Sequence, residues 1–269
     1  MVRREGALPI EAHAQTILAK VDNNRVCLII GATGCGKSTQ MPKLLRDHLK
    51  RRVLVVQPRR MAVVAVASRV AEELGVPLGG KVVGYNIGGM QSAELDHTEM
   101  LFVTAGIFLE MLKCHGAASL RAYGAVVIDE VHERSCENDL GLACLNQLAL
   151  HADELHELRV VLMSATADVR RYSEFMRPLC DDEEPAQFAF GETARVHNTT
   201  VRYLKEAIDA AALPETSSTG AYETHDRPAV DRVCDLVGVL IPKLAQRTVT
   251  VPAPPTPPPP PHARARPGR

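Results

Sequence analysis

The chain has 269 residues, 46% of them hydrophobic, and its 31 basic and 32 acidic side chains leave a formal net charge of −1. That length accommodates one large or two small domains with a sizeable core. Nothing in the bulk charge advertises nucleic acid, although a few local side chains and backbone amides suffice for phosphate contacts.

The first residues carry no apolar leader-like run, and Leu8 to Ala19 has helical apolar spacing. Val26 to Ile30 follows as a short buried strand. Gly31-Ala32-Thr33-Gly34-Cys35-Gly36-Lys37-Ser38 then matches the phosphate-cradling pattern G-x-x-x-x-G-K-[ST] at every fixed position, and Thr39 to Leu49 reads as the helix that completes it. Glycines let backbone N–H groups approach phosphate oxygens, and the helix N-terminus adds a positive partial charge. Lys37 is expected to reach the β- and γ-phosphates and the Ser38 hydroxyl to ligate Mg²⁺, with Gly31 to Ser38 and Thr39 all counted as nucleotide-binding residues. The competing account, a glycine turn before an ordinary core helix, explains neither the lysine nor the serine.

Further along, Val53 to Val56 is a second buried strand and Met61 to Leu74 an alanine- and valine-rich helix ending at Gly75. Shorter extended pieces are expected at 82–85 and 100–103, a helix at 107–112, strands at 125–128 and 159–163, and a helix at 140–150 between the last two. Continuous Val/Ile/Leu strands alternating with helices predict an α/β fold, a mainly parallel sheet with helices on both faces. Asp129-Glu130-Val131-His132 sits at the end of one such strand, where ligands bind in these sheets. Paired with a phosphate loop, Asp129 is expected to hold Mg²⁺ largely through water and Glu130 to orient and deprotonate the attacking water. Ser38, Asp129 and Glu130 thus form the expected metal site, with ATP and Mg²⁺ as cofactors. A solvated acidic turn is the alternative for this pair when it is read by itself.

The seven cysteines contain no C-x-x-C pair and read as reduced thiols. With no apolar run long enough for a bilayer, the expectation is an intracellular protein, of nucleus or cytoplasm, without a membrane partner. Beyond residue 175 the pattern weakens to an acidic turn at 181–185, an extended piece at 201–204, a polar loop at 212–227 and an amphipathic helix at 230–244. Residues 249–269, rich in proline and arginine, read as a disordered polyproline-like tail. Such a tail is a spacer or a ligand for a proline-recognising protein.

The motifs at 31–40, Gln57-Pro58-Arg59-Arg60, Thr104-Ala105-Gly106, Asp129 to Arg134 and Ser164-Ala165-Thr166 together resemble the ordered motifs of DEAH-box ATP-dependent RNA helicases, in the D-E-V-H variant. The resemblance covers roughly residues 8–205 and implies a RecA-like P-loop NTPase domain, expected at 1–190. It implies that Arg69 stacks on the nucleotide base, that Arg59, Arg60 and Thr104 lie along single-stranded RNA backbone, and that Ser164 and Thr166 couple nucleotide state to strand separation. By the same resemblance His132 is a hydrogen-bonding group on the γ-phosphate side or between domains, and catalysis falls to Lys37, Asp129, Glu130 and His132.

The glutamine- and arginine-rich motif of a second RecA-like domain is not legible. Residues 191–248 are therefore expected to be a truncated start of that domain or an irregular extension, incomplete for unwinding and open to an activator. Two other classes are weighed against the helicase lobe. A non-catalytic nucleotide- or RNA-binding scaffold, or a truncated isoform, would not need Lys37 or Glu130. Another P-loop kinase or GTPase would leave the Q-P-R-R and S-A-T elements unexplained and would call for a base-reading N-K-x-D, which the chain lacks.

Overall fold

Each buried strand is apolar on both faces because each face meets its own layer of helices. The structure, a computed structural model, describes residues 8–92, 97–166 and 169–191. Its elements run α1 (Pro9–Ala12), α2 (Ala14–Asn23), β1 (Val26–Ile30), α3 (Lys37–Leu49), β2 (Arg52–Gln57), α4 (Arg60–Leu74), β3 (Val83–Ile87), β4 (Met90–Ser92), β5 (Met100–Thr104), α5 (Ala105–His115), β6 (Tyr123–Ile128), α6 (Cys136–His151), β7 (Arg159–Ser164), α7 (Arg170–Met176) and β8 (Ala186–Ala189). The strands form one sheet in the order β4-β3-β5-β2-β6-β7-β1-β8. All pairings are parallel except β3 with β4.

Alternation along the strands divides the interior in two. Leu28, Leu54, Val56, Leu101, Val126, Ile128 and Leu162 face a core closed by Phe108 and Leu112 of α5, Leu142 and Leu145 of α6 and Tyr172 and Met176 of α7. Cys27, Ile29, Val53, Val55, Phe102, Val127 and Met163 face the other, closed by Ile17 and Val21 of α2, Met41 and Leu45 of α3 and Val63, Ala67 and Val70 of α4. Burying each such side chain is worth about 1.5–3 kcal/mol relative to exposure, so the two cores, not helix propensity, fix the sheet. This is the expected α/β architecture with helices on both faces.

Two local readings differ, and three elements were not expected. The helix expected over 8–19 breaks at His13 into α1 and α2: the Ile10 N–H is drawn to the Cys35 carbonyl of the glycine loop at 3.3 Å, and the His13 ring packs on Phe188 and Phe190. The helix after the loop begins at Lys37, two residues early, because Gly36 itself takes the left-handed cap conformation. Strands β4 and β8 and helix α7 had no local signature. The extended piece at 201–204, the helix at 230–244 and the proline-rich tail lie outside the described residues. Among the described residues the cysteines are free thiols, with burial pushing Cys27 up to about 12, and no helix is long and apolar enough to cross a membrane.

Candidate nucleotide site

Gly31, Thr104, Asp129 and Ser164, all expected site residues, fall at the carboxyl ends of parallel strands. Gly31 follows β1, Thr104 ends β5, Asp129 follows β6 and Ser164 ends β7, while Gln57 ends β2 between them. Because β2, β6, β7 and β1 are consecutive neighbours in the sheet, Gln57, Asp129, Ser164 and Gly31 form one row along its edge.

Gly34 (φ 87°) and Gly36 (φ 99°) occupy backbone conformations that other residues rarely adopt, and they curl the loop back onto the start of α3. Gly36 caps α3 without a side-chain acceptor, so the first turn keeps its N–H groups for an anion. Lys37 is only 4% exposed. Its ammonium donates to the Gly31 carbonyl and, at 3.2 Å, to the Ala32 carbonyl, and lies 3.7 Å from Cys35 Sγ. The loop therefore holds a buried positive charge on backbone carbonyls, next to the uncapped N–H groups that begin α3, and together these are the electrostatics of a phosphate receptor.

Asp129 is fully buried. Its Oδ1 accepts the Glu130 N–H at 2.9 Å and its Oδ2 accepts from Gln57 Nε2 at 2.7 Å, while the Ser38 hydroxyl acts on it from the phosphate loop. Burial nevertheless pushes its pKa up, against the pull of Ser38, Gln57, the Glu130 N–H and the Lys37 charge. A carboxylate in that position favours a cation beside it. Among the described residues no group of three or more His, Cys, Asp and Glu side chains could hold a metal by itself. A hydroxyl and one or two carboxylates beside a phosphate loop do fit Mg²⁺, a hard ion that keeps several waters and borrows phosphate oxygens.

Glu130 adopts a left-handed backbone (φ 51°, ψ 40°) without being glycine. Such strain costs of order 1–3 kcal/mol and tends to collect at functional sites. Its Oε2 lies 3.3 Å from His132 Nδ1, but obliquely, and is buried without a hydrogen bond. Nδ1 instead accepts the Ala165 N–H at 3.4 Å. Burial first, then the neighbouring Asp129 charge, pushes the Glu130 carboxyl up, with His132 and Lys37 opposing. An unmet acceptor with raised basicity suits a group that takes a proton from water. The His132–Ala165 bond also ties the acidic motif to the S-A-T turn, in which Ser164 Oγ accepts the Thr166 N–H at 3.1 Å.

The other expected residues stand further out. Arg59 is exposed, with Nε on Glu133 at 3.0 Å, and Arg60 is exposed, with Nη2 on the Gly88 carbonyl at 2.8 Å. Arg69 is half-buried, its Nε on Glu73 Oε1 at 2.8 Å. Thr104 is nearly covered because its hydroxyl caps α5, accepting the Ile107 N–H at 3.4 Å.

Two participants went unassigned in the sequence. Gln57 was quoted within a motif, yet a polar residue ending a buried strand is the signal that it serves the neighbouring strand's acid. Glu73 gathers Arg69, Lys43 and Gln40, the last two on Oε2 at 2.8 Å each, and ties the first turns of α3 to Arg69.

Comparison with known proteins bears on the family. The family model described as DEAD/DEAH box helicase matches residues 11–175. The chain is similar to the Zinc finger CCCH domain-containing protein 4 of Oryza sativa subsp. japonica, at 38% identity over 228 residues, covering 83% of this chain and 22% of that protein. It is similar to the DExH-box ATP-dependent RNA helicase DExH8 of Arabidopsis thaliana, at 39% over 218 residues, covering 80% and 21%. It also matches the ATP-dependent RNA helicase DHX30 of Gallus gallus, at 41% over 176 residues, covering 62% and 14%. The chain thus spans about a fifth of the length of the first two relatives. With the glycine loop matched at every fixed position, Asp129 buried beside it and the family model matching residues 11–175, more than half of the chain, the chain belongs to the DEAD/DEAH box helicase family.

Proposed function

We propose that this chain is the ATP-binding lobe of an ATP-dependent RNA helicase, binding ATP with Mg²⁺, hydrolysing it, and contacting single-stranded RNA through its backbone. The observation that carries the reading is the buried Asp129 carboxylate, held by Gln57 of the adjoining strand and acted on by Ser38 and Lys37 of the phosphate loop. In this account Gly31 to Thr39 wrap the triphosphate and the Lys37 ammonium neutralises the β- and γ-phosphates. Ser38, Asp129 and Glu130 would hold Mg²⁺, partly through water. Bound Mg²⁺ supplies charge neutralisation of the transferring phosphoryl group. Glu130 orients the attacking water and takes its proton, and His132 keeps the Glu130 turn in register with the S-A-T turn. Arg69 presents the flat face of its guanidinium to the base, which tolerates every base because each offers a π face.

Arg59, Arg60 and Thr104, at the ends of the adjacent strands β2 and β5, form the track for RNA phosphates and riboses. Ser164 and Thr166 transmit nucleotide state to that track. The whole relatives' unwinding activity belongs to longer chains, and for this chain we expect weak nucleotide binding and slow turnover. Phosphate release measured with and without single-stranded RNA, for the native chain and for Glu130→Gln, tests the assignment. Slow, Mg²⁺-dependent release abolished by Glu130→Gln supports it. Release unaffected by that substitution overturns it.

A further inference from the structure

We infer that Phe190 is a positioning residue of the phosphate loop, and that its ring, rather than backbone conformation, is what demands glycine at position 31. The inference rests on reading Gly31 to Ser38 as that loop. Gly34 and Gly36 need glycine for their positive φ, whereas Gly31 lies outside the left-handed region. A Cβ at Gly31 would stand 2.5 Å from Phe190 Cδ2, 3.1 Å from Cγ and 3.2 Å from Cys35 Sγ. Carbon atoms rest at about 3.5–4.0 Å, so the ring occupies the space that any side chain there would take.

The part-buried ring is held from several sides. The Phe190 N–H donates to the Ile30 carbonyl at 2.8 Å. Phe188 meets the ring edge-on at 5.0 Å between centroids, and His13 does so at 5.9 Å. On its other side Gly31 is held by its own N–H on the Ser164 carbonyl at 3.0 Å. The loop therefore enters between the S-A-T strand and an aromatic wall supplied by the segment after β8. Because the Gly31 carbonyl receives the Lys37 ammonium, the angle at which the chain enters the loop passes directly to the group meant for the phosphates.

The test is Mg²⁺-ATP affinity, by titration calorimetry, of the native chain, Phe190→Ala, Gly31→Ala and the double variant, each checked for folding by circular dichroism. In a preorganised site a misplacement of about 1 Å can cost on the order of 100-fold in rate, and a loss of that order in affinity is expected for Gly31→Ala. Phe190→Ala alone is expected to weaken binding severalfold. In the Gly31→Ala background the same change should strengthen it about tenfold, by giving the new methyl room. A change of sign of this kind does not arise from a general stability defect. A double variant that binds no better than Gly31→Ala overturns the inference.

If Gly31→Ala does not fold, Phe190→Ala against the bulk-retaining Phe190→Leu decides. Weaker binding in the first and near-native binding in the second supports the clamp, and equal binding in both overturns it. Lys37→Ala serves as the control. If it leaves affinity unchanged, the phosphate-loop reading itself has failed; if it abolishes affinity while the Phe190 variants bind normally, only the clamp has.

Discussion

Gln57→Leu is the sharpest single perturbation of the account, because it removes one donor from a fully buried carboxylate and leaves nearly the same volume. Gln57 is 2% exposed and Asp129 not at all, and the bond between them is 2.7 Å long. A hydrogen bond to a charged buried group contributes about 1.5–3 kcal/mol, and the extra apolar burial of leucine returns part of that. The net expectation is a loss of about 2 kcal/mol, or roughly 4–8 °C in Tm for a domain of this size. Asp129→Asn is expected to act in the opposite direction at neutral pH. Burial raises the folded pKa of Asp129, so the folded state holds its proton more tightly than the unfolded chain does. Stability therefore falls as pH rises from the ordinary aspartate range toward that raised value, and removing the charge removes the loss. A thermal-unfolding double-mutant cycle at pH 7 isolates the pair, with an expected coupling of about 1–3 kcal/mol. If Gln57→Leu costs the same with Asp129 intact as in the Asp129→Asn background, the bond does not support the acid and the reasoning is refuted.

Glu73→Gln tests the node beneath Arg69. Burial pulls Glu73 up, but the bonds from Lys43, Gln40 and Arg69 outweigh it and hold the carboxyl below the ordinary 4.5. Its contribution is therefore present above that value and lost as pH falls through the folded one. The variant should lose about 1–2 kcal/mol at pH 7, and the gap to the native chain should hold down to about pH 4.5 and close as the pH falls below it in parallel melts. A gap of constant size would contradict the assignment. Arg59→Ala removes only an exposed ion pair with Glu133, worth less than about 1 kcal/mol, so Tm should hardly move. RNA affinity should fall across all sequences, and the slope of log affinity against log salt should flatten by about one, as read by fluorescence anisotropy. An unchanged slope would take Arg59 off the RNA track.

Much of the fold was legible because its causes are local. Runs such as Val53 to Val56 and Ala125 to Ile128 leave no polar face for water, so both faces must be covered, and parallel strands follow. The glycine loop and the Asp129-Glu130 pair were legible because phosphate and metal chemistry restrict residue type at fixed spacing. What escaped depends on distant partners. Gln57 gains its meaning from Asp129, 72 positions away. Phe190 gains its meaning from Gly31, with no spacing rule between them. The break at His13 is set by the Cys35 carbonyl and the Phe188–Phe190 pair, all remote from a stretch whose own periodicity favours one helix.

The central claim, that Gly31 to Ser38 and Asp129 receive a magnesium nucleotide, is tested most directly by titration calorimetry of ATP into the native chain and into Lys37→Ala, with Mg²⁺ and with EDTA. The account predicts measurable binding that needs Mg²⁺ and weakens at least about tenfold, some 1.4 kcal/mol, in Lys37→Ala. Equal affinity in the two proteins, or binding indifferent to Mg²⁺, would contradict it.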